Sequence, residues 1–131
     1  MNDTISISLP TKSEYVSIAR LTASVVANNI GFDIEDIEDI KVTVGEACNN
    51  AVLHGKESES FTLNFIAEPD RMVIEVVDCG EGFEVSEYVE PDLENPKENG
   101  LGLFIMKSLM DEVLVNTSKG CGTKIRMTKN L

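Results

Sequence analysis

The sequence predicts an α+β protein: a two-layer α/β sandwich with helices packed on one face of a mostly antiparallel sheet. Period-two alternation of apolar and polar residues recurs near both ends of the chain and in its middle, as strands require. Short turns join two pairs of these strands, which favours antiparallel hairpins. The hairpins leave few of the crossovers that a doubly wound parallel sheet needs. With 131 residues, the chain is predicted to form one domain over residues 1–131.

The first strand and first helix come from the opening 31 residues. Residues 5–9 alternate apolar and polar side chains and predict a strand. A T-x-x-E capping-box pattern from Thr11 to Glu14 predicts a helix over residues 11–29, and Gly31 is a suitable residue to end it. The buried side of this helix is predicted to consist of Tyr15, Ile18, Ala19, Thr22, Val25 and Val26.

A second helix is predicted between Asp33 and Gly55. Asp33 is a good N-cap, and the acidic residues that follow suit the positive end of the helix dipole. Gly55 ends the helix. Its apolar face is predicted to consist of Ile37, Ile40, Val44, Ala47, Cys48 and Ala51.

Four further strands complete the predicted sheet. Residues 61–65 alternate, residues 72–77 are apolar on both faces, and the turn at 68–70 joins them as a hairpin. Residues 113–116 and 123–127 form a second pair, joined through a glycine-containing turn.

Residues 79–99 differ in composition from the segments around them. They combine glycines and prolines with many acidic side chains and a single basic residue, Lys97. A loop this long in a small domain is usually functional, so we expect a lid or a binding loop. A third helix is predicted to begin at the glycines that follow, over about residues 101–109.

Composition excludes several classes of protein. The hydrophobic share of 42% and charged share of 26% are typical of soluble globular proteins. A net charge of −12 would repel phosphate backbones and anionic lipid, so we expect no nucleic-acid or membrane partner. The acidic surface fits either a role in holding another protein or solubility alone. Three widely spaced cysteines and the lack of a signal-peptide pattern indicate a cytoplasmic protein with reduced thiols.

Glu46, Asn50 and His54 stand four residues apart on the second predicted helix and therefore share one narrow stripe. A carboxylate can accept a proton, and an amide oxygen suits Mg²⁺. Such residues also form ordinary solvated faces, but this stripe borders the apolar face and is flanked by small residues. His54, at the end of the helix, is interpreted as a supporting residue rather than a catalyst.

Asp78 directly follows an apolar strand and begins a D-x-G-x-G pattern with Gly80 and Gly82. A carboxylate at a strand end can accept a hydrogen bond from the adenine amine, and the glycines let the base approach the backbone. The same pattern also occurs in plain turns.

Gly100, Leu101 and Gly102 stand where the third helix begins. Free backbone N–H groups at a helix N-terminus bind anions, so these residues form a candidate phosphate site. The alternative is a loop glycine and a cap glycine beside core leucines. Neither a Walker A loop nor a dinucleotide-binding fingerprint is present.

Taken together, E-x-x-x-N-A-x-x-H, D-x-G-x-G-F and G-x-G-L resemble the N, G1 and G2 boxes of the GHKL ATPase superfamily, which has the Bergerat ATP-binding fold. YVSIARLTASVVANNIGFDIEDIEDIKVTVGEACNNAVLHG, GLGLFIMKSLMDEVLV and GTKIRMTKNL further resemble the RsbW/SpoIIAB group of bacterial anti-sigma-factor serine kinases. The resemblance spans nearly the whole chain.

This resemblance implies a cytoplasmic, homodimeric kinase that uses ATP and Mg²⁺. It would hold a sigma factor and phosphorylate a serine of an antagonist protein. Glu46 would activate the serine hydroxyl, Asn50 would bind Mg²⁺, Asp78 would bind adenine and Thr123 would support the adenine site. The nucleotide would be framed by Gly80, Gly82, Gly100, Leu101 and Gly102, under a lid over residues 84–99.

Two other functions stay open. The chain could be a nucleotide-gated binding module for a sigma factor, with little catalysis. It could also be a detached ATP-binding domain of a histidine kinase, although no phospho-acceptor helix pair is found in the sequence. The predicted lid leaves open which cation meets the γ-phosphate, since Lys97 is its one basic residue.

Overall fold

A computed structural model describes residues 2–55, 58–79, 98–117 and 122–131 of the chain. Five strands form one sheet in the order β1-β2-β3-β5-β4, and every neighbouring pair is antiparallel. The predicted fold class is therefore confirmed. In chain order the elements are β1 (Asp3–Pro10), a 3-10 turn (Ser13–Tyr15), α1 (Val16–Ile30), α2 (Ile34–His54), β2 (Ser60–Glu68), β3 (Arg71–Asp78), α3 (Glu98–Leu109), β4 (Glu112–Thr117) and β5 (Thr123–Asn130).

The core lies between the helices and one face of the sheet. Alternate strand residues point into it, and the largest fully buried ones include Phe61, Phe65, Ile74 and Met127. Burial of side chains of this size is worth roughly 1.5–3 kcal/mol each. No helix among the described residues is long and apolar enough to cross a membrane.

The first helix begins later than predicted, and its buried side includes Ala19 and Val26 of the predicted set but not Ile18 and Val25. Thr11 donates its backbone N–H to Glu59, and its hydroxyl has no hydrogen-bond partner in the described part of the chain, so it does not cap the helix. Ile18 and Val25 are exposed. The buried side consists of Val16, Ala19, Ala23, Val26 and Ala27. Three alanines let α1 approach its neighbours closely. The close packing of the backbones stabilises this orientation of α1 more than burial of Ile18 and Val25 would.

The second helix agrees with the prediction at both ends. Asp33 accepts a hydrogen bond from the N–H of Asp36, at 2.9 Å, and the helix ends at His54 with Gly55 as its C-cap. The predicted apolar face is buried or partly buried. The predicted hairpins also form, with Pro69 and Asp70 as the two-residue turn of the first.

The third helix begins at Glu98, before the glycine pair where the sequence predicted its start. The apolar periodicity begins only at Leu101, because the first three helical residues have no apolar side chain to mark them. Glu98 and Asn99, the last two residues of the predicted lid over residues 84–99, belong to α3, and the lid itself stays a prediction. The rest of it, with Gly80, Gly82 and Lys97, lies outside the described residues.

Candidate functional site

The polar stripe of α2 faces the N-terminal half of α3. A Cβ built on Gly102 would lie 3.3 Å from Glu46 Oε2 and 3.9 Å from Asn50 Oδ1. Asn50 is 8% exposed, whereas Glu46 is only partly buried. The glycine thus lets the backbone of α3 approach a carboxylate and an amide oxygen closely. Two clusters that are separate in the sequence lie together in the structure.

The glycine pair has two different positions on α3. Gly100 belongs to the first turn, where backbone N–H groups have no partner within the helix. Gly102 belongs to the second turn and supplies the close contact with α2. Leu101 between them is partly buried. The helix N-terminus and the polar stripe therefore lie side by side, as a bound anion would require.

The other end of α2 meets the end of β3. A Cβ on Gly55 would lie 3.4 Å from the Cβ of Asp78. Asp78 is 6% exposed and pairs in register with Thr123 of β5, which is 5% exposed. Both residues point to the helix side of the sheet. Gly55, which the sequence marked only as a helix end, therefore brings the stripe and Asp78 together.

A hydroxyl pair lies next to Asp78. Thr117 and Thr123 face each other across the β4–β5 pair with their hydroxyl oxygens 2.8 Å apart. Thr117 also donates to the carbonyl of Gly122, at 3.2 Å. Thr117 could not be predicted from the sequence, since only the strand register shows that it reaches this position. These residues border a cleft at the sheet end, lined by Val77, Asp78, Asn116, Thr117, Gly122, Thr123 and Lys124.

Gly122 is the second residue that sequence reasoning missed. Its φ of +80° lies in the left-handed region that favours glycine. A Cβ there would also overlap the carbonyl oxygen of Asp78 and lie 3.0 Å from the Cα of Cys79. The pairing of Asp78 with Thr123 therefore depends on a glycine at position 122.

The donors near Gly102 suit a magnesium ion. Within the described ranges, no group of three His, Cys, Asp or Glu residues forms a metal site of its own. Mg²⁺ usually takes one or two protein oxygens and completes its shell with phosphates and water. The Asn50 amide oxygen, with the Glu46 carboxylate nearby, fits that pattern.

Arg20 of α1 is a cation that lies against α2, and it was not considered from the sequence. It extends from α1 across Gly45, where a Cβ would lie 2.6 Å from Arg20 Nε. Gly45 thus lets the Arg20 guanidinium lie against α2, on a side of the helix that is about 100° from Glu46. Nearby, burial raises the pKa of the Cys48 thiol to about 12, an effect that the charge of Arg20 partly offsets. Cys48 is therefore a neutral core residue at neutral pH.

His54 is the last residue of α2 and is partly buried. It lies one turn beyond Asn50, on the side of the stripe that leads to Gly55 and Asp78. The interpretation of His54 as a support stays a prediction.

Known proteins are similar to this chain in sequence. Residues 9–129 match the family described as "Histidine kinase-like ATPase domain". The serine-protein kinase RsbW of Halalkalibacterium halodurans is 40% identical, over 98% of this chain and 84% of its own length. RsbW of Listeria monocytogenes serovar 1/2a is 38% identical, over 98% of this chain and 88% of its own length.

Solved structures show the same fold. The RsbU and RsbW domains of Rv1364c from Mycobacterium tuberculosis match with a TM-score of 0.71 and 21% identity, over 97% of this chain and 31% of that one. The histidine kinase domain of the Erythrobacter litoralis EL346 blue-light activated kinase matches with a TM-score of 0.59 and 20% identity, over 94% of this chain and 62% of that one. On the family match and the near-full-length relatives, this chain belongs to the histidine kinase-like ATPases and, within them, to the RsbW serine-protein kinases.

Proposed function

We propose that this RsbW-type kinase uses Mg-ATP to phosphorylate a serine of an anti-sigma-factor antagonist protein, and that it also holds a sigma factor. One observation carries the proposal: Gly102 of α3 lies against both Glu46 and Asn50 of α2. A phosphate site, a metal ligand and a base are the three parts that phosphoryl transfer needs side by side. The contact between α2 and α3 brings a candidate base and a candidate metal ligand next to a candidate phosphate site.

In the proposed reaction the serine oxygen attacks the γ-phosphorus in line, and the bond to the β,γ-bridging oxygen breaks. Glu46 takes the proton of the serine hydroxyl, and ADP leaves with the bridging oxygen. Mg²⁺, when bound through Asn50 and phosphate oxygens, would neutralise charge on the transferring group.

The nucleotide would lie between α2, α3 and the end of the sheet. Asp78 would accept a hydrogen bond from the adenine amine, with Thr123 in support. The N–H groups of the first turn of α3, at Gly100 and Leu101, would bind phosphate oxygens. Burial of Asp78 and Thr123 beside a cleft supports this assignment. Gly80 and Gly82 would complete the frame.

The proposed partners are proteins in the cytoplasm. The RsbW relationship supports a sigma factor and an antagonist that compete for this chain, and thereby control transcription. A net charge of −12 is consistent with protein partners rather than nucleic acid. We also propose that two copies of the chain form a homodimer.

The test is transfer of labelled phosphate from ATP, in the presence of Mg²⁺, to a candidate antagonist. Glu46→Gln keeps the shape of the side chain but cannot accept the proton, so the transfer rate should fall by about a hundredfold or more. ATP affinity should change little. Glu38→Gln is the matched control, because Glu38 lies on the same helix, is 62% exposed and pairs only with Lys41 among the described residues.

Two outcomes would contradict the proposal. If the Glu46→Gln variant transfers phosphate at the wild-type rate, Glu46 is not the base. A wild-type protein that binds ATP and a sigma factor but transfers no phosphate would instead be a nucleotide-gated binding module.

A further inference from the structure

A lysine of β5 lies at the end of the sheet that is remote from the candidate site. Lys129 is on the same side of the sheet as Asp78 and Thr123, and its side chain is only 14% exposed. It is six residues along β5 from Thr123, a separation of about 20 Å at about 3.3 Å per residue. Lys129 is therefore too far from the candidate nucleotide site to contact a substrate there.

Lys129 connects the ends of two helices. Its Nζ donates to the carbonyl oxygen of Leu109, the last residue of α3, at 2.6 Å. The same Nζ lies 3.8 Å from Oδ1 of Asp36, in the first turn of α2. The last carbonyls of a helix have no partner within the helix, and a positive charge stabilises that end of the helix dipole. One lysine thus binds a carbonyl of α3 and pairs with a carboxylate of α2.

The turn after α3 is attached to the same strand. The backbone N–H of Asp111 donates to the carbonyl oxygen of Thr128 at 2.9 Å, and Asp111 Oδ2 accepts from the N–H of Asn130 at 2.6 Å. Three successive residues of β5 therefore bind the end of α3. The contacts of Asp111 attach the turn to the sheet, whereas Lys129 also reaches α2, so Lys129 positions one helix relative to the other.

The position of α3 along α2 matters at the other end of this helix pair. The two helices are antiparallel, because Lys129 joins Leu109 to Asp36 at one end while Gly102 lies against Glu46 at the other. A helix is close to a rigid rod with a rise of about 1.5 Å per residue, so a shift at Leu109 moves Gly102, about 10 Å away. An axial shift of α3 would therefore change the contact between Gly102 and Glu46.

Apolar packing alone defines this axial position loosely. The buried residues of α3 and of the turn after it include Leu103, Met106 and Met110. Methionine is unbranched and flexible and adapts to gaps of different shape, so such a contact tolerates sliding. A hydrogen bond requires a particular distance and direction. The bond from Lys129 to Leu109 therefore restricts the position of α3 more narrowly than the methionines do.

We propose that Lys129 is a positioning residue for phosphoryl transfer. It keeps α3 at the axial position along α2 at which the first turn of α3, Glu46 and Asn50 lie together. The inference rests on the proposed function and adds to it a residue that contacts neither the nucleotide nor the serine.

The phosphate-transfer assay with lysine variants tests the proposal. Lys129→Met keeps the length of the side chain but loses its charge and its donors, so the rate at saturating ATP should fall by about tenfold. Lys129→Arg keeps the charge and the donors and should retain most of the rate. Lys41→Met is the matched control, because Lys41 is an ion-paired lysine on α2, and it should keep the wild-type rate.

A double variant separates positioning from stability. Gly102→Ala crowds Glu46, and an α3 helix released from Lys129 can move away from the new Cβ. The loss of rate in Lys129→Met/Gly102→Ala should therefore be clearly smaller than the product of the two single losses. The two ends of α3 are about 10 Å apart, so the losses in the free energy of unfolding, measured with urea, should simply add.

A second variant keeps the test usable if Lys129→Met does not fold. Asp36→Asn removes the ion pair with Lys129 but keeps the backbone N–H that Asp36 donates to Asp33. It should lower the transfer rate in the same direction and by a smaller factor than Lys129→Met. Its loss should also combine with that of Gly102→Ala to less than the product.

Any of four results would overturn the proposal. These are a folded Lys129→Met variant with the wild-type rate and ATP affinity, losses of rate that multiply in the double variant, an equal loss in Lys41→Met, and an equal loss in Lys129→Arg. The affinity for ATP with Mg²⁺ is measured on the same samples, and it should fall in Lys129→Met because Asn50 and the first turn of α3 separate. A wild type that binds ATP but transfers no phosphate would contradict only the proposed reaction, and the ATP affinity of Lys129→Met would then test the role of Lys129.

Discussion

The two faces of the sheet are organised by different forces. The helix side carries the apolar core, and its candidate site residues are positioned by close approach of the backbone at Gly102, Gly55 and Gly122. The other side of the sheet, on which no described element packs, is called the bare face here, and it is held by charges and hydrogen bonds centred on Glu75. Close packing tolerates little added volume, whereas paired charges near the surface contribute modestly. Substitutions on the helix side should therefore have the larger effects, and those on the bare face the smaller.

Among substitutions that change how the sheet and helices pack, the largest effect is expected for Gly122→Ala. A left-handed backbone costs a residue with a Cβ about 1–2 kcal/mol, and the new Cβ would also overlap the carbonyl oxygen of Asp78. The ends of β3 and β5 must separate, which disturbs Asp78 and Thr123. We expect the affinity for ATP to fall by about tenfold or more, as measured by calorimetry, which is a loss of about 1.4 kcal/mol.

Gly31→Ala is the control for this prediction. Gly31 has a φ of +114°, but nothing lies within 4 Å of a Cβ built there. It should lower the free energy of unfolding through the same backbone strain and leave ATP affinity unchanged. Equal losses of ATP affinity in the two variants would mean that stability, rather than the position of Asp78, controls binding.

An intermediate effect, on the phosphate-transfer rate, is expected for Gly102→Ala. Alanine favours a helix over glycine by about 1 kcal/mol, so the variant should be at least as stable as wild type. Its Cβ would lie 3.3 Å from Glu46 Oε2 and must displace that carboxylate. Since small misplacements of catalytic groups are costly, we expect the phosphate-transfer rate to fall by roughly tenfold.

The matched control for Gly102→Ala is Ser108→Ala, an exposed position on the same helix. It should gain helix stability and keep the transfer rate. Urea unfolding and the phosphate-transfer assay together separate the two effects. A Gly102→Ala protein that is stable and fully active would show that Glu46 does not need its present position.

Capping residues and apolar periodicity in the sequence were enough to predict the ends of α2 and the face that it buries. The α2 helix was correct at both ends because Asp33 and Gly55 are strong caps, and its long apolar period set the direction of the polar stripe. The resemblance to known boxes then indicated which residues would share a nucleotide. The start of α1 was wrong because the capping box at Thr11 competes with strand pairing to Glu59.

Features that depend on tertiary contacts could not be predicted. The buried side of α1 follows from close packing of small residues such as Ala19 and Ala23, whereas the apolar pattern favoured Ile18 and Val25. The network around Glu75 on the bare face could not be recognised either. A shift of one residue in any strand pairing would move Glu75 or its partners to the other face, and the sequence does not fix that register.

The smallest effect is expected for Glu75→Gln, on the bare face. Burial opposes ionisation of the Glu75 carboxyl, but Lys124, with Asn64 and Arg126, outweighs burial and lowers its pKa. A group whose pKa is lower in the folded state adds stability above its unfolded pKa of about 4.3 and loses it as pH falls through the folded value. Urea unfolding at neutral pH should therefore show a loss of at most about 1 kcal/mol in Glu75→Gln, at one fixed protein concentration.

The difference between wild type and Glu75→Gln should shrink to zero as the pH is lowered through the folded pKa. Glu112→Gln, an exposed change on the same face, should show little difference at any pH. A Glu75→Gln loss that stays constant down to acidic pH would mean that shape and hydrogen bonding, rather than charge, hold the network. The two faces would then differ in that close packing stabilises the helix side, whereas hydrogen bonds rather than charges stabilise the bare face.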